Sequence, residues 1–178
     1  VVQIVLHHQQ FVMISSYSSH RQHGATDMTD STATRTAIVP CATCGKLNRV
    51  DLARVADKPV CGPCKAPLAL ATPLLLTDAN FDRVVDGANV PVIVDFYADW
   101  CGPCKAMTPV FAELARRQAG RALVVKVDTD RSPVVASRFN IRSIPTLAVL
   151  HHGKEVARQV GAVPLPALEQ LLQRADTP

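Results

Sequence analysis

All six cysteines of this 178-residue chain fall into three CxxC pairs, Cys41/Cys44, Cys61/Cys64 and Cys101/Cys104, and the hexapeptide CGPCKA occurs twice among them, at 61–66 and 101–106. Thiols at this spacing form either a redox centre or half of a metal site, so the neighbours of each copy must decide between the two. The opening VVQIVLHHQQFVMISS is broken by HHQQ and lacks a basic n-region. Without a secretory signal the pairs read as metal or redox sites in a reducing compartment, the cytoplasm, rather than as structural disulfides.

The second copy has a strand in front of it. PVIVDFYA is a nearly continuous β-branched and aromatic run, expected of a strand buried on both faces of a sheet. The turn residues Asp99 and Trp100 follow, and CGPCKAMTPVFAELARRQ then reads as a helix closed by Gly120, with Pro109 kinking its interior. Cys101 therefore sits at the first turn of a helix, where free N–H groups and the helix dipole favour a thiolate. Cys104 lies three residues on, close enough for a disulfide with little rearrangement, so the pair can cycle between dithiol and disulfide. Asp95, an acid inside the apolar strand, is either a buried carboxyl with a raised pKa or a strand-end acid facing solvent.

The first copy has no strand before it, and Pro67 discourages a long helix after it. Its companion is another CxxC: sixteen residues separate Cys44 from Cys61. That spacing fits a tetrathiolate zinc site built from two knuckle turns on Cys41, Cys44, Cys61 and Cys64. The enclosed GKLNRVDLARVADKPV is too short for a core of its own, and a bound metal would substitute for one. Disulfides among the four thiols, or iron in place of zinc, remain open on spacing alone.

The rest of the chain supplies the frame. Residues 1–36 are polar, Ser/Thr/His-rich and aperiodic, and read as a disordered tail in which Met28 offers an alternative start. His7, His8, His20 and His23 are scattered there as solvated side chains. After the ribbon segment 37–70, residues 71–178 alternate strand and helix. PLLL is followed by the helical TDANFDRVVDG, with Phe81, Val84 and Val85 on one face, Thr77 or Asp78 as cap and Gly87 as terminator. Beyond the Cys101 helix come the strand ALVVKVD, a short helix starting near Pro133, a hairpin turning at His152 and Gly153, and a final helix PLPALEQLLQRA. This order predicts an α/β fold with a mixed sheet and helices on both faces. With 48% hydrophobic and 19% charged residues the chain can bury a core. A net charge of +4 without a Lys/Arg run gives no footprint for nucleic acid, and no apolar stretch reaches the roughly 18 residues of a membrane span.

VDFYADWCGPCKAMTPVF, followed by IRSIPTLAVL and then VGAVP, resembles the thioredoxin family in motif and order from about Thr72 to Ala175. With the zinc ribbon in front, the arrangement from about Val39 resembles the branch of bacterial thioredoxins that carries an N-terminal zinc site. The resemblance implies a thioredoxin fold, a protein-disulfide reductase working as a monomer on disulfide-bearing client proteins, and electrons from NADPH through thioredoxin reductase. It implies that Cys101 attacks the client disulfide and Cys104 resolves the mixed disulfide. It also makes Asp95 a buried carboxyl relaying the proton of Cys104, with Lys126 on the neighbouring strand as partner. Ile144 and Pro145 resemble the family's cis-proline loop, and Trp100, Gly102, Pro103, Ile144, Pro145, Gly161 and Ala162 would form the client-binding groove. Tyr97 stands where most members carry a second tryptophan. A rival function is a zinc-dependent binding or holdase module whose dithiol only senses oxidation; disulfide isomerisation fits less well, because CGPC is a reducing motif.

Overall fold

The structure, a computed structural model, describes residues 34–176. The expected tail and its four histidines lie outside the described residues, apart from the last few positions before the first strand.

Two sheets organise the described chain. β1 (Thr36–Pro40) and β2 (Leu47–Asp51) form an antiparallel pair, with Thr36 opposite Asp51 and Pro40 opposite Leu47. A 3-10 helix at Leu52–Asp57 follows, started by Asp51, whose side chain accepts the Ala53 N–H. The larger sheet holds β3 (Leu74–Leu76), β4 (Val92–Tyr97), β5 (Leu123–Asp128), β6 (Thr146–His151) and β7 (Lys154–Val160) in the order β3-β5-β4-β6-β7. Its first three strands run parallel, and β6 and β7 join antiparallel. The sheet is mixed, as the alternation of strand and helix followed by a late hairpin requires.

Alternation along β4 distributes the two cores. Val92, Val94 and Phe96 pack with Phe81, Val84 and Val85 of α1 (Phe81–Asp86) and Val135 of α3 (Pro133–Arg138). Ile93 packs on the other face with Met107, Phe111 and Leu114 of α2 (Gly102–Gln118) and Leu168 and Leu171 of α4 (Leu165–Gln173). Asp95 shares the parity of Ile93 and so lies beneath α2. Pro109 sits inside α2 without breaking it: the helix runs unbroken to Gln118.

One expected cap is exchanged. Asn80, not Thr77 or Asp78, precedes α1, and its side chain accepts the Thr77 N–H. Asp78 reaches across instead to accept the N–H groups of Val135 at 2.9 Å and Val134 at 3.2 Å, capping α3. Ser132, next to α3, makes no cap bond, and its buried Oγ has no hydrogen-bond partner. A carboxylate from the neighbouring loop satisfies the free amides there more strongly than a hydroxyl would.

The expectation that the ribbon has no core is corrected. Ala37, Val39, Val50, Leu52 and Leu68 are buried in the same cluster as Leu74, Phe81 and Val84, so the ribbon shares the core on the α1/α3 face of the sheet. Two helix-ending glycines permit the approach. A Cβ on Gly87 would fall 2.6 Å from Cδ1 of Ile38, and one on Gly120 would fall 2.8 Å from the carbonyl oxygen of Leu52. Gly120 also has φ +83°, a conformation natural to glycine. Polar contacts fix the same join: Arg35 Nη1 donates to Gly120 O at 3.4 Å, and Asn89 accepts the Thr36 N–H at 2.6 Å while its side-chain amide donates to Thr34 O.

Candidate active site and candidate metal centre

At the C-terminal end of β4 the chain turns through Asp99 and Trp100 into α2, with Cys101 as N-cap. Cys101 and Cys104 are joined as a disulfide, with Cα atoms 5.2 Å apart, so the structure describes the oxidised centre. Cys101 Sγ accepts the Cys104 N–H at 3.1 Å. An N–H at the first turn of a helix aimed at a sulfur is the arrangement that favours a thiolate there. Gly102 and Pro103 occupy the first two helical positions and are exposed; Pro103 suits a place where no intrahelical donor is needed.

The cis-proline loop faces this sulfur. The Ile144–Pro145 peptide is cis, and the Ile144 carbonyl oxygen lies 3.8 Å from Cys101 Sγ. Gly161, at φ +90°, donates its N–H to Pro145 O at 2.8 Å, so the turn after β7 is tied to the same loop. Trp100 is 70% exposed, and its Nε1 donates to Asp130 at 2.8 Å, which holds the indole at the surface beside the disulfide. Ala162 is exposed next to Gly161. The structure thus places Cys101, Ile144, Pro145 and Gly161 in one connected cluster, with Trp100 flanking the disulfide.

Beneath α2, Asp95 is 0% exposed and ion-pairs with Lys126, its register partner on β5. Burial pushes the Asp95 carboxyl above the ordinary carboxylate range, and Lys126 offsets only part of that. Asp95 Oδ1 has no hydrogen-bond partner. Lys126 is only 8% exposed, and its ammonium lies 4.2 Å from the centre of the Tyr97 ring. A cavity of about 70 Å³, lined by Tyr97, Ala98, Asp99, Cys104, Lys105 and Thr108, opens beside Cys104 and has room for water.

The ribbon gathers the other four cysteines. Their sulfurs all lie within 4.8 Å of one another, with Cys41···Cys64 at 3.6 Å and Cys44···Cys61 at 3.7 Å. A tetrahedron with Zn–S bonds of about 2.3 Å has edges of roughly 3.8 Å, so these separations suit a tetrathiolate ion. The two knuckles repeat one geometry. Cys41 donates its N–H to Lys46 O at 2.9 Å and accepts from Gly45 at 2.8 Å; Cys61 donates to Ala66 O at 2.8 Å and accepts from Lys65 at 2.9 Å. Gly45 and Lys65, the residues that turn each knuckle, have φ +70° and +61°.

Electrostatics at the four sulfurs call for a cation. The Cys44 N–H, foremost among several donors, draws the Cys41 thiol down to about 6. At Cys64 the Ala66 N–H acts in the same direction, but the crowded sulfurs of Cys44, Cys41 and Cys61, together with desolvation, push the thiol up to about 12. Sulfurs gathered this closely suit a soft divalent cation, which would offset the repulsion between thiolates.

Sequence reasoning passed over Asn48. Its side chain spans the knuckles, donating to Lys46 O at 2.8 Å, lying 3.6 Å from Cys61 Sγ and accepting the Gly62 N–H at 3.0 Å. An asparagine one residue into a strand, where asparagine is disfavoured, was the available signal.

Comparison with known proteins agrees with this geometry. Residues 72–174 match the thioredoxin family, and residues 40–66 match the zinc-ribbon family described as Thioredoxin 2, N-terminal. Thioredoxin C-3 of Corynebacterium nephridii is 40% identical over 137 residues, covering 77% of this chain and 94% of that protein. Thioredoxin 1 of Nostoc sp. is 48% identical over 99 residues, covering 56% and 92%. Among solved structures, a mutant thioredoxin from Halobacterium salinarum superposes with a TM-score of 0.54 at 36% identity, covering 58% of this chain and 90% of that one. The chain belongs to the thioredoxin family of protein-disulfide oxidoreductases and carries an N-terminal ribbon with four cysteines placed for a metal ion.

Proposed function

We propose that this chain reduces disulfides in client proteins in the cytoplasm, as a monomer, with electrons passed from NADPH by thioredoxin reductase. The observation that carries the reading is a CGPC disulfide at the N-terminus of α2, facing a cis-proline loop and backed by a buried carboxyl.

In the reduced chain the Cys101 thiolate attacks one client sulfur. An S–S bond forms between Cys101 and the client as the client disulfide breaks, and the leaving client thiolate takes a proton from solvent. Trp100, Gly102, Pro103, Ile144, Pro145, Gly161 and Ala162 hold an extended client segment over the sulfur through apolar contact and backbone hydrogen bonds. Cys104 then gives its proton to Asp95, whose affinity for a proton is raised by burial. Lys126 holds that carboxylate in place. The Cys104 thiolate attacks Cys101, the second client thiolate departs, and the Cys101–Cys104 disulfide is restored. Two electrons have moved from chain to client, and the reductase returns them.

Cys41, Cys44, Cys61 and Cys64 would hold one zinc ion. Bound there, zinc would neutralise the thiolates and fix the ends of both knuckles. Insulin reduction monitored by NADPH consumption with added thioredoxin reductase tests the function. Catalytic turnover supports it; protection of a client from aggregation without NADPH consumption replaces it with a holdase.

A further inference from the structure

Asn48 is the side chain that joins the two halves of the ribbon site. Lys46 O, which it contacts, ends the first knuckle, while Cys61 and Gly62 begin the second. Its amide has one consistent orientation. The Gly62 N–H can only donate, so the side-chain oxygen must face it, and Lys46 O can only accept, so the NH₂ group must face that. One N–H of Nδ2 is used at 2.8 Å on Lys46 O, which leaves the second for Cys61 Sγ at 3.6 Å. Cys61 is fully buried, so solvent cannot supply that donor.

We propose that Asn48 is a positioning residue of the metal site, tying the two knuckles at the separation the four sulfurs need and donating an N–H to the Cys61 thiolate. The inference rests on reading Cys41, Cys44, Cys61 and Cys64 as a zinc site. The donated N–H withdraws charge from the sulfur, which makes a tetrathiolate less self-repelling and the Cys61 lone pair less available to electrophiles. Outside the four cysteines, no other side chain among the described residues hydrogen-bonds both knuckles.

The test uses the full-length chain and two variants. Asn48→Ala removes all three contacts. Asn48→Asp keeps the size and the acceptor for Gly62 but turns the donor into a carboxylate oxygen, so its failure cannot be blamed on a lost side chain. Arg49→Ala, at an exposed neighbour, is the control. Zinc affinity is read by competition with a chromogenic chelator, and the cobalt-substituted proteins are read by their sulfur-to-metal charge-transfer band. Both Asn48 variants should bind zinc about tenfold more weakly, toward the low end for an outer-shell partner because Asn48 is half-buried. Their charge-transfer band should move to lower energy, since a sulfur without the N–H gives up its electron more easily. A merely structural asparagine would leave that band in place. Affinity within twofold of the parent, or an unmoved band, overturns the proposal while the zinc reading stands. A parent chain that takes up no zinc overturns both.

Discussion

Lys65 and Lys105 hold the same place in two identical hexapeptides, yet Lys65 stands at φ +61° while Lys105 lies within the α-helix that begins at Gly102. Both donate to the carbonyl four residues back, Lys65 to Cys61 O at 2.9 Å and Lys105 to Cys101 O at 3.1 Å. The first turn is therefore the same in the two copies, and they part at the lysine. After Lys65 the chain reverses and Ala66 O accepts the Cys61 N–H; after Lys105 the chain continues the helix to Gln118. Pro67 and the partner knuckle favour the reversal, and the apolar stripe Met107, Phe111, Leu114 favours the helix.

Lysine-to-glycine replacement should have opposite effects at the two sites. A non-glycine residue in the left-handed region costs roughly 1–2 kcal/mol, and glycine returns part of that through its greater unfolded-state freedom. Lys65→Gly should thus stabilise the metal-loaded chain by up to about 1 kcal/mol. Lys105→Gly should cost about 1 kcal/mol. Denaturant unfolding of the two variants measures both, and equal shifts would mean that the copies do not differ in backbone demand.

The two active-site cysteines should fail in different ways. Cys101→Ser leaves no thiolate to attack and should abolish insulin reduction. Cys104→Ser permits attack but removes the resolving thiol, so clients should accumulate as mixed disulfides with Cys101. Non-reducing gels of the two variants incubated with oxidised insulin separate the outcomes; equal trapping by both would reverse the assignment.

Asp95→Asn should slow turnover by on the order of tenfold to a hundredfold near neutral pH, limited because the cavity beside Cys104 has room for a water that could substitute as base. Stability should move the other way. Because burial raises the carboxyl's affinity for a proton, the folded chain keeps a proton the unfolded chain has released as pH rises beyond the usual carboxylate range. Stability therefore falls through that window, and the loss is complete above the raised value and absent below about pH 4. Asparagine, which stands in for the neutral acid, should melt above the parent at the alkaline end of that window and converge with it in acid. Melting curves across pH check the sign.

The shared core predicts a graded response to metal loss. Chelation should free the knuckle tips at Cys44 and Cys64, both exposed, while Val39, Val50 and Leu52 stay protected by their packing against Phe81 and Val84. Gly120→Ala should disturb the opposite end of this join by placing a methyl 2.8 Å from Leu52 O in a left-handed backbone, at a cost of about 2 kcal/mol. Hydrogen exchange read peptide by peptide would show it: simultaneous exposure of the whole segment from 37 to 70 after chelation would mean that the ribbon stands on its metal alone.

The parts of this molecule that depend on short-range pattern were readable from the residues. WCGPCK after a buried strand, the sixteen-residue gap between the ribbon pairs and Asp95 within an apolar run each carry their consequence locally. What escaped were contacts between distant segments. Asp78 looked like a cap for the helix next to it and instead caps α3, because the two loops meet only in the folded chain. Gly87 and Gly120 looked like helix terminators, and their second role as seats for Ile38 and Leu52 depends on where the ribbon docks. The ribbon looked coreless since its apolar residues, Ala37, Val39, Val50, Leu52 and Leu68, are too few to bury one another and are completed by the sheet domain.

The division of labour between the two hexapeptides is tested most directly by timed alkylation of the zinc-loaded, reduced full-length chain. Labelled cysteines are mapped by mass spectrometry beside a zinc-release dye. Cys101 should label rapidly, while Cys61 and Cys64 remain unlabelled until zinc leaves, because their lone pairs are engaged by the metal. Rapid labelling of Cys61 with zinc still bound would show that context does not separate the two copies, and would contradict the account.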